Sequence, residues 1–476
     1  MIRIYLDWNV ISNLKRPQLK EVKDFITKHK KYLLFPYTPA HFSDLMKSYT
    51  PNNEFFKIDL ETLEFLADKH LLRWGKDNIQ YLCATPTEYF DTEKDKEDFA
   101  ELLDIEKIFE ELKGEGFDGI IDSLENLLKS LPTGIEVTKE SKDILEKMFP
   151  GLDANSTMWD LMKNLGPFII KLTEDGKYYK DLRQESFDSG FKLEANSGNW
   201  EYDEVIENID AFLHRHGVGM SYREYIDSIF ELNKAPKILY DYYTTAYKML
   251  DMIGYKVDKL PKLTDSMRNI QADADHSFYA GYCDYFVVMD KNLRIKSKVL
   301  YNEFNISTKV IEPSELITEL SLVIDDMSQK TNFLDEAISF CDENMLVEYL
   351  PPSEKGTEEI YGYRLPKFHF NYFNCVLFRK NTEQDAVIFT FRKAFKNLSN
   401  SIYYTETETL IDSVAQFFGY ESQEEFEAEK KEFVNGEENV SIRWSFDGGL
   451  ILLEKEEESM RPILHYIVST KEVKPE

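Results

Sequence analysis

The chain has 476 residues, and its 87 acidic against 57 basic side chains give it a formal net charge of −30. This charge argues against a protein that coats nucleic acid, and four scattered cysteines without a CxxC pair exclude a disulfide scaffold and a zinc ribbon. No apolar run approaches the roughly 20 residues that span a bilayer, and the N-terminus lacks a signal-peptide layout. We therefore expect a cytoplasmic protein of roughly two to four domains with no membrane partner.

The acidic excess is concentrated in two regions. Residues 51–260 carry 25 Lys/Arg against 44 Asp/Glu, and residues 311–476 carry 16 against 33. Residues 1–50, in contrast, carry nine against four, and residues 261–310 carry seven against six. If these two stretches fold together, a polyanion would bind on the surface that they form.

The first 50 residues predict alternating strands and helices. Arg3–Asp7 is an apolar stretch that ends on an acid and predicts a short strand, and residues 18–31 have a helical pattern. Tyr32–Tyr37 predicts a second strand. Thr38 is a suitable N-cap for the next helix, with Pro39 at its first position.

Residues 51–260 predict a mainly helical region, which Gly-, Asp- and Asn-rich breaks interrupt. The clearest helical patterns are Glu97–Leu112, Phe117–Leu131, Tyr202–His216 and Tyr222–Leu232. Strand–helix alternation then resumes. Residues 269–283 predict a helix, and Asp284–Met289 and Thr308–Ile311 predict strands. Apolar strands that alternate with helices indicate a parallel sheet.

The C-terminal region has a different pattern. It predicts one helix over Thr407–Phe418, a solvated acidic helix over Glu421–Lys431, and several strands. These strands are Val376–Phe378, Ala386–Phe391, Val440–Ser445, Leu450–Leu453 and Ile463–Val468. The predicted fold class is therefore α/β: a parallel sheet flanked by helices, formed by residues 1–50 and 261–320. A helical insertion over 51–260 interrupts it, and an α+β accessory domain over 331–476 follows.

Four acids occupy strand ends or early helix turns in this arrangement. Asp7 ends the first strand, where open α/β sheets bind ligands, and Asp290 follows the strand Asp284–Met289. Asp44 lies in the second turn of the helix after Thr38. Asp273 shares one helix face with His276 and Ala280, and we expect His276 to pack or hydrogen-bond rather than to bind metal. Carboxylate oxygens are the ligands that Mg²⁺ and Mn²⁺ prefer.

These segments resemble the motifs of PIN-domain nucleases, in the family's order. The first four motifs correspond to Leu6–Ile11, to Thr38 with Asp44, to Asp273–Ala280, and to Cys283–Asp290, and the closing strand and helix correspond to Ile311–Leu316. The resemblance implies a PIN-like fold and hydrolysis of phosphodiester bonds with Mg²⁺ or Mn²⁺. The substrate would be RNA, with single-stranded DNA as the alternative, in a bacterial phage-defence or stress-response setting.

The resemblance also implies roles for individual residues. Asp7, Asp273 and Asp290 would be catalytic metal ligands, and Asp44 would be a ligand or would orient water. Asn9 would position a carboxylate or a water, and Asp275 and Asp284 are reserve candidates. The expected nucleic-acid-binding side chains are Lys15, Arg16, Lys20 and Lys23.

Two other functions remain open at this point. A non-catalytic binding or scaffold protein could keep a degenerate PIN fold, and a phosphatase for small phosphate esters could use the same acids. A second copy of the chain, or a regulatory partner, could bind through the acidic insertion or through the C-terminal domain.

Overall fold

The computed structural model describes most of the chain. The described ranges are 1–50, 52–94, 105–112, 118–133, 149, 151–153, 155–188, 192–193, 195–232, 234–256, 267–330, 333–341, 346–350, 359–381, 386–394, 397–436, 440–446, 449–457 and 459–469. Residues 97–104 and 117, which belong to predicted helices, lie outside these ranges, as do residues 261–266 of the predicted core.

Strands and helices within the described ranges follow in chain order. The strands are β1 (Ile2–Leu6), β2 (Leu33–Leu34), β3 (His70–Trp74), β4 (Ile79–Cys83), β5 (Tyr285–Val287), β6 (Lys309–Ile311), β7 (Leu346–Leu350), β8 (Ile360–His369), β9 (Phe373–Asn381), β10 (Ala386–Arg392), β11 (Ile442–Phe446), β12 (Gly449–Lys455) and β13 (Pro462–Ser469). The helices are α1 (Trp8–Asn13), α2 (Lys20–His29), α3 (Pro39–Met46), α4 (Glu54–Ala67), α5 (Pro86–Glu93), α6 (Ile105–Leu112), α7 (Asp118–Ser130), α8 (Met158–Glu174), α9 (Gly176–Asp188), α10 (Val205–Arg215), α11 (Tyr222–Leu232), α12 (Leu239–Met252), α13 (Met267–Ala280), α14 (Lys291–Glu303), α15 (Pro313–Val323), α16 (Phe333–Ser339), α17 (Tyr404–Phe418) and α18 (Gln423–Asn435).

The chain forms two compact units. The first contains Met1–Thr87 and His276–Glu476, and the second contains Glu88–Asp275. Residues 52–87, which the sequence assigned to the insertion, thus belong with the parallel sheet. The C-terminal region also lies in the same unit as that sheet rather than in a unit of its own.

A four-stranded parallel sheet, in the order β2-β1-β5-β6, organises the first part of this unit. The chain leaves β1 for β2 on one side and leaves β5 for β6 on the other. The strand order therefore reverses between β1 and β5, where ligands bind in open α/β sheets. Asp7 follows β1 directly, and its N–H donates to the carbonyl of Val287, the last residue of β5.

The C-terminal part of the first unit is a seven-stranded antiparallel sheet in the order β11-β12-β13-β10-β9-β8-β7. Alternate residues of its inner strands, such as Phe389, Phe391 and Tyr466, are buried in one core with Leu410 and Val414 of α17. This alternation is what a sheet covered on one face by helices requires.

Buried ion pairs join the two sheets at the amino edge of β1. Arg3 donates hydrogen bonds to Glu406 of α17 and to the hydroxyl of Ser399. Lys393, just after β10, pairs with Asp284 at 2.9 Å, and the same Asp284 oxygen accepts the N–H of Arg3. These contacts connect the antiparallel sheet to the parallel sheet within the first unit.

The described part of 51–260 is mainly helical, as predicted, but it also contains an antiparallel hairpin of β3 and β4, which lies in the first unit and was not predicted. The strand predicted over Tyr32–Tyr37 is shorter, since only Leu33 and Leu34 pair with β1, while Tyr37 bridges to Leu71 of β3.

The second unit is mainly helical in its described ranges, as predicted. Its interior contains an ion pair between Arg183 of α9 and Asp251 of α12, at 2.8 Å, to which the hydroxyl of Tyr179 also donates. None of the described helices combines the length and apolar character that crossing a membrane requires.

Candidate functional site

Asp7 is a buried carboxylate at the carboxyl edge of β1. It occupies the N-cap position of the short helix α1, but its side chain makes no capping hydrogen bond. The residue is 2% exposed, and its Oδ2 atom has no hydrogen-bond partner within the described ranges. An orphaned, buried carboxylate oxygen is unusual, because burying a charge without a partner is costly.

The electrostatic surroundings of Asp7 oppose its negative charge. Burial, together with the negative charges of Asp44 and Asp290, raises the pKa of Asp7 to about 6. The opposing influences are the His276 ring and a hydrogen bond from the exposed side chain of Asn9. Asn9 therefore contacts the carboxylate that it was predicted to position. A cation beside Asp7 would stabilise the charged form of this carboxylate.

Asp44 of α3 already has side-chain partners for both of its carboxylate oxygens. Its Oδ2 atom lies 2.9 Å from Nε2 of His276, and its Oδ1 atom lies 2.6 Å from Nζ of Lys47. Although burial raises its pKa, these two contacts lower the pKa of Asp44 to about 2. Both oxygens are engaged, so this geometry suits an orienting role better than direct coordination.

Tyr5 and His41 extend this network behind the acids. The Tyr5 hydroxyl lies 2.8 Å from Nδ1 of His276 and 2.9 Å from Oγ1 of Thr38. Nε2 of His41 lies 2.7 Å from the carbonyl oxygen of Leu6, the residue before Asp7. The side chains of this network are 0–1% exposed, so it is shielded from water; they are Tyr5, Thr38, His41 and His276.

Asp290 combines a structural contact with an available oxygen. It is the N-cap of α14, and its Oδ1 atom accepts the N–H groups of Asn292 and Leu293, each at 2.8 Å. The residue is exposed. Because only one oxygen caps the helix, the other can contact a ligand at the same edge as Asp7.

Asp273 belongs to the second unit and His276 to the first, and both lie on the continuous helix α13. Three residues apart, they occupy the same face of that helix. The place of Asp273 among the other acids stays a prediction.

The two reserve acids make structural contacts elsewhere. Oδ1 of Asp275 accepts hydrogen bonds from Tyr240 and Gln271, both at 2.7 Å, within the second unit. Asp284 precedes β5, at the opposite edge of the sheet from Asp7, and is bound to Lys393. The structure therefore places Asp284 in the junction between the sheets rather than beside Asp7.

The predicted basic side chains are not equivalent. Lys15 pairs with Asp59 at 2.5 Å and lies over the Phe55 ring, so its charge is partly neutralised. Arg16, Lys20 and Lys23 are exposed. Arg16 precedes α2, and Lys20 is its first residue. Since α2 runs from the edge where Asp7 lies back towards the start of β2, these two side chains lie nearer to that edge than Lys23 does.

Sequence reasoning missed Tyr5 and His41. The spacing of Thr38 and His41 was an available signal. In a capping box, the side chain of the third helical residue accepts the N–H of the N-cap residue, and Nδ1 of His41 accepts the N–H of Thr38 in this way.

Among the described residues, no three His, Cys, Asp or Glu side chains are arranged to hold a metal ion by themselves. Comparison of the chain with family models, curated proteins and solved structures finds no match.

Proposed function

We propose that the protein is a PIN-like nuclease that hydrolyses phosphodiester bonds in RNA with the help of Mg²⁺ or Mn²⁺. The observation that carries the proposal is Asp7. This carboxylate is buried at the point where the strand order reverses, has an oxygen without a hydrogen-bond partner in the described ranges, and is raised in pKa by burial and two neighbouring acids.

The donor set fits a hard divalent cation. Asp7 would hold the ion through its orphaned Oδ2 atom, and Asp290 through the oxygen that does not cap α14. Asp273 is the third proposed ligand, from the resemblance and its helix face. When bound, such an ion activates water and stabilises negative charge on phosphate oxygens.

The protein's own groups would prepare the site for this chemistry. Asp44, held by His276 and Lys47, presents a charged carboxylate that can orient a water molecule. Asn9 steadies Asp7 through a side-chain hydrogen bond. Exposed Arg16, Lys20 and Lys23 would attract the phosphate backbone towards this edge.

A second candidate is a binding protein that keeps the fold without the chemistry. Asp44 favours it, because both of its oxygens already contact His276 and Lys47. This arrangement neutralises one of the four acids without a metal ion.

The deciding experiment incubates the full chain with labelled RNA, single-stranded DNA and a generic phosphate monoester. Each reaction is run with Mn²⁺ and with EDTA, beside Asp7→Asn and the surface control Asp24→Asn. The proposal requires Mn²⁺-dependent cleavage of RNA that Asp7→Asn abolishes and Asp24→Asn retains. RNA binding without cleavage would instead support the binding protein, and hydrolysis of the monoester alone would support a phosphatase.

A further inference from the structure

The hydrogen bonds of His41 fix its tautomer. Nδ1 of His41 accepts the backbone N–H of Thr38 at 3.1 Å, so this nitrogen carries no proton. Burial lowers the pKa of His41 to about 3, which keeps the ring neutral. Its proton is therefore on Nε2, which donates to the carbonyl of Leu6, directly before Asp7.

The hydrogen bonds from Asp44 through His276 and Tyr5 to Thr38 can all form whether the His276 ring is neutral or protonated. When His276 is neutral, Nε2 donates to Asp44, and Nδ1 accepts from the Tyr5 hydroxyl. When His276 is protonated, Nδ1 donates to Tyr5, and the Tyr5 proton turns to Thr38. Because each arrangement leaves every hydrogen with an acceptor, the geometry does not depend on the charge of His276.

This network connects the elements that carry the proposed catalytic acids. Tyr5 and Leu6 belong to β1, which ends at Asp7, and His41 lies on α3 with Asp44. His276 lies on α13, three residues after Asp273. The aromatic rings also pack together, with the His41 and His276 centroids 4.9 Å apart and those of Tyr5 and His41 4.7 Å apart.

We propose that His276 is a positioning residue which, supported by Tyr5, fixes the orientation of the Asp44 carboxylate relative to Asp7. The inference rests on the proposed function and deepens it. A carboxylate rotates easily about its last torsion angle, so a single rigid donor from a buried ring sets which lone pairs face the substrate. Outer partners of this kind are worth about 10–100-fold in metal affinity or activity.

The structure supplies a matched control pair. His369 and Tyr466 are also buried and hydrogen-bonded to each other, with Nε2 of His369 3.2 Å from the Tyr466 hydroxyl. They lie in the antiparallel sheet, so Tyr466→Phe removes the same atom as Tyr5→Phe without touching the acids.

The test compares Tyr5→Phe, His276→Ala, His276→Gln and Tyr466→Phe in the full chain. We expect His276→Ala to lower kcat for RNA cleavage by about 10–100-fold with KM within about threefold. His276→Gln, which keeps an N–H for Asp44, should recover most of the loss. Tyr5→Phe should lower kcat in the same direction, and Tyr466→Phe should leave it unchanged.

A second readout needs neither metal nor activity. In the metal-free protein, Tyr5→Phe should shift the ¹⁵N resonance of Nδ1 in His276 and leave the resonances of His369 unchanged. Tyr466→Phe should shift the ¹⁵N resonance of Nε2 in His369 and leave those of His276 unchanged. Tyr5→Phe removes one oxygen atom, so this measurement remains possible even if His276→Ala fails to fold.

The outcomes separate this proposal from the function on which it rests. Wild-type cleavage with unaltered kcat in Tyr5→Phe and His276→Ala, or an equal loss in Tyr466→Phe, overturns the positioning role alone. A wild-type protein that neither cleaves RNA nor responds to Mn²⁺ overturns the nuclease and the positioning role together.

Discussion

Arg3 of β1 and Glu406 of α17, 403 residues apart in sequence, form a buried ion pair in which the guanidinium contacts both carboxylate oxygens, at 3.0 Å and 2.7 Å. Neither side chain is more than 2% exposed. Although burial opposes it, Arg3 lowers the pKa of Glu406 to about 2. The pair connects the strand that ends at Asp7 to the helix that covers the antiparallel sheet.

Glu406→Gln should therefore destabilise the first unit by about 3–5 kcal/mol, because the Arg3 charge would remain buried without a counter-ion. Chemical denaturation at neutral pH measures this change. The double variant Arg3→Met with Glu406→Met removes both charges and should cost less than the single substitution. If Glu406→Gln costs less than the double variant, the pair does not have this structural role.

Asp7→Asn should stabilise the metal-free protein at neutral pH. The rise in pKa from 3.8 to about 6 means that the charged form costs about 3 kcal/mol in the folded state. A raised acid pKa gives stability that is complete below the unfolded value and is lost as the pH rises through the folded value. The advantage of the variant should thus appear between about pH 4 and 6 and stay constant above.

Thermal unfolding in EDTA across that pH range measures the effect. Asp24→Asn, an exposed substitution on α2, is the control and should give no pH-dependent difference. A wild-type protein that is as stable as Asp7→Asn at pH 7.5 would show that Asp7 has a partner which neutralises it.

Asp290 allows its capping contact to be separated from its proposed contact with metal. Asn is as good an N-cap as Asp, so Asp290→Asn should keep the bonds to Asn292 and Leu293 and change stability by only a few tenths of a kcal/mol. Asp290→Ala should cost about 1 kcal/mol more. Both should weaken the Mn²⁺ response equally in calorimetric titrations; a normal response in Asp290→Asn would remove Asp290 from the ligand set.

Reversing the charge at Lys20 and Lys23 should weaken RNA binding and lower its salt dependence by about one unit of slope per lysine that contacts phosphate. Lys28→Glu with Lys31→Glu makes the same change in net charge towards the other end of α2 and is the matched control. Fluorescence anisotropy at several salt concentrations measures both slopes. Equal slopes in the two double variants would place the RNA path elsewhere.

The parallel sheet was predictable because its strands are short apolar runs with clear boundaries. Asp7 and Asp290 follow β1 and β5 as predicted, and α13 and α17 begin within three residues of the predicted starts. The β3–β4 hairpin was not predicted, because Arg73 and Gln80 interrupt its apolar pattern within a region of helical periodicity.

Long-range contacts explain most of what the sequence could not predict about the site. Arg3, in an apolar strand, carries no local signal that its partner is Glu406, and this pair is one of several contacts between β1 and the C-terminal region within the first unit. Tyr5 reads as an ordinary core residue until the fold brings it to His276. The expectation that His276 hydrogen-bonds agrees with its contact to Asp44.

The central claim, that Asp7 lies in a cation-binding acid site, is tested most directly by the melting temperature of wild-type protein and Asp7→Asn during Mn²⁺ titration. A ligand that binds only the folded state stabilises it by about 2.7 kcal/mol at a hundred times its Kd. We predict a saturable rise for the wild type and little or none for Asp7→Asn. An equal rise in both proteins, or none in the wild type, would contradict the account.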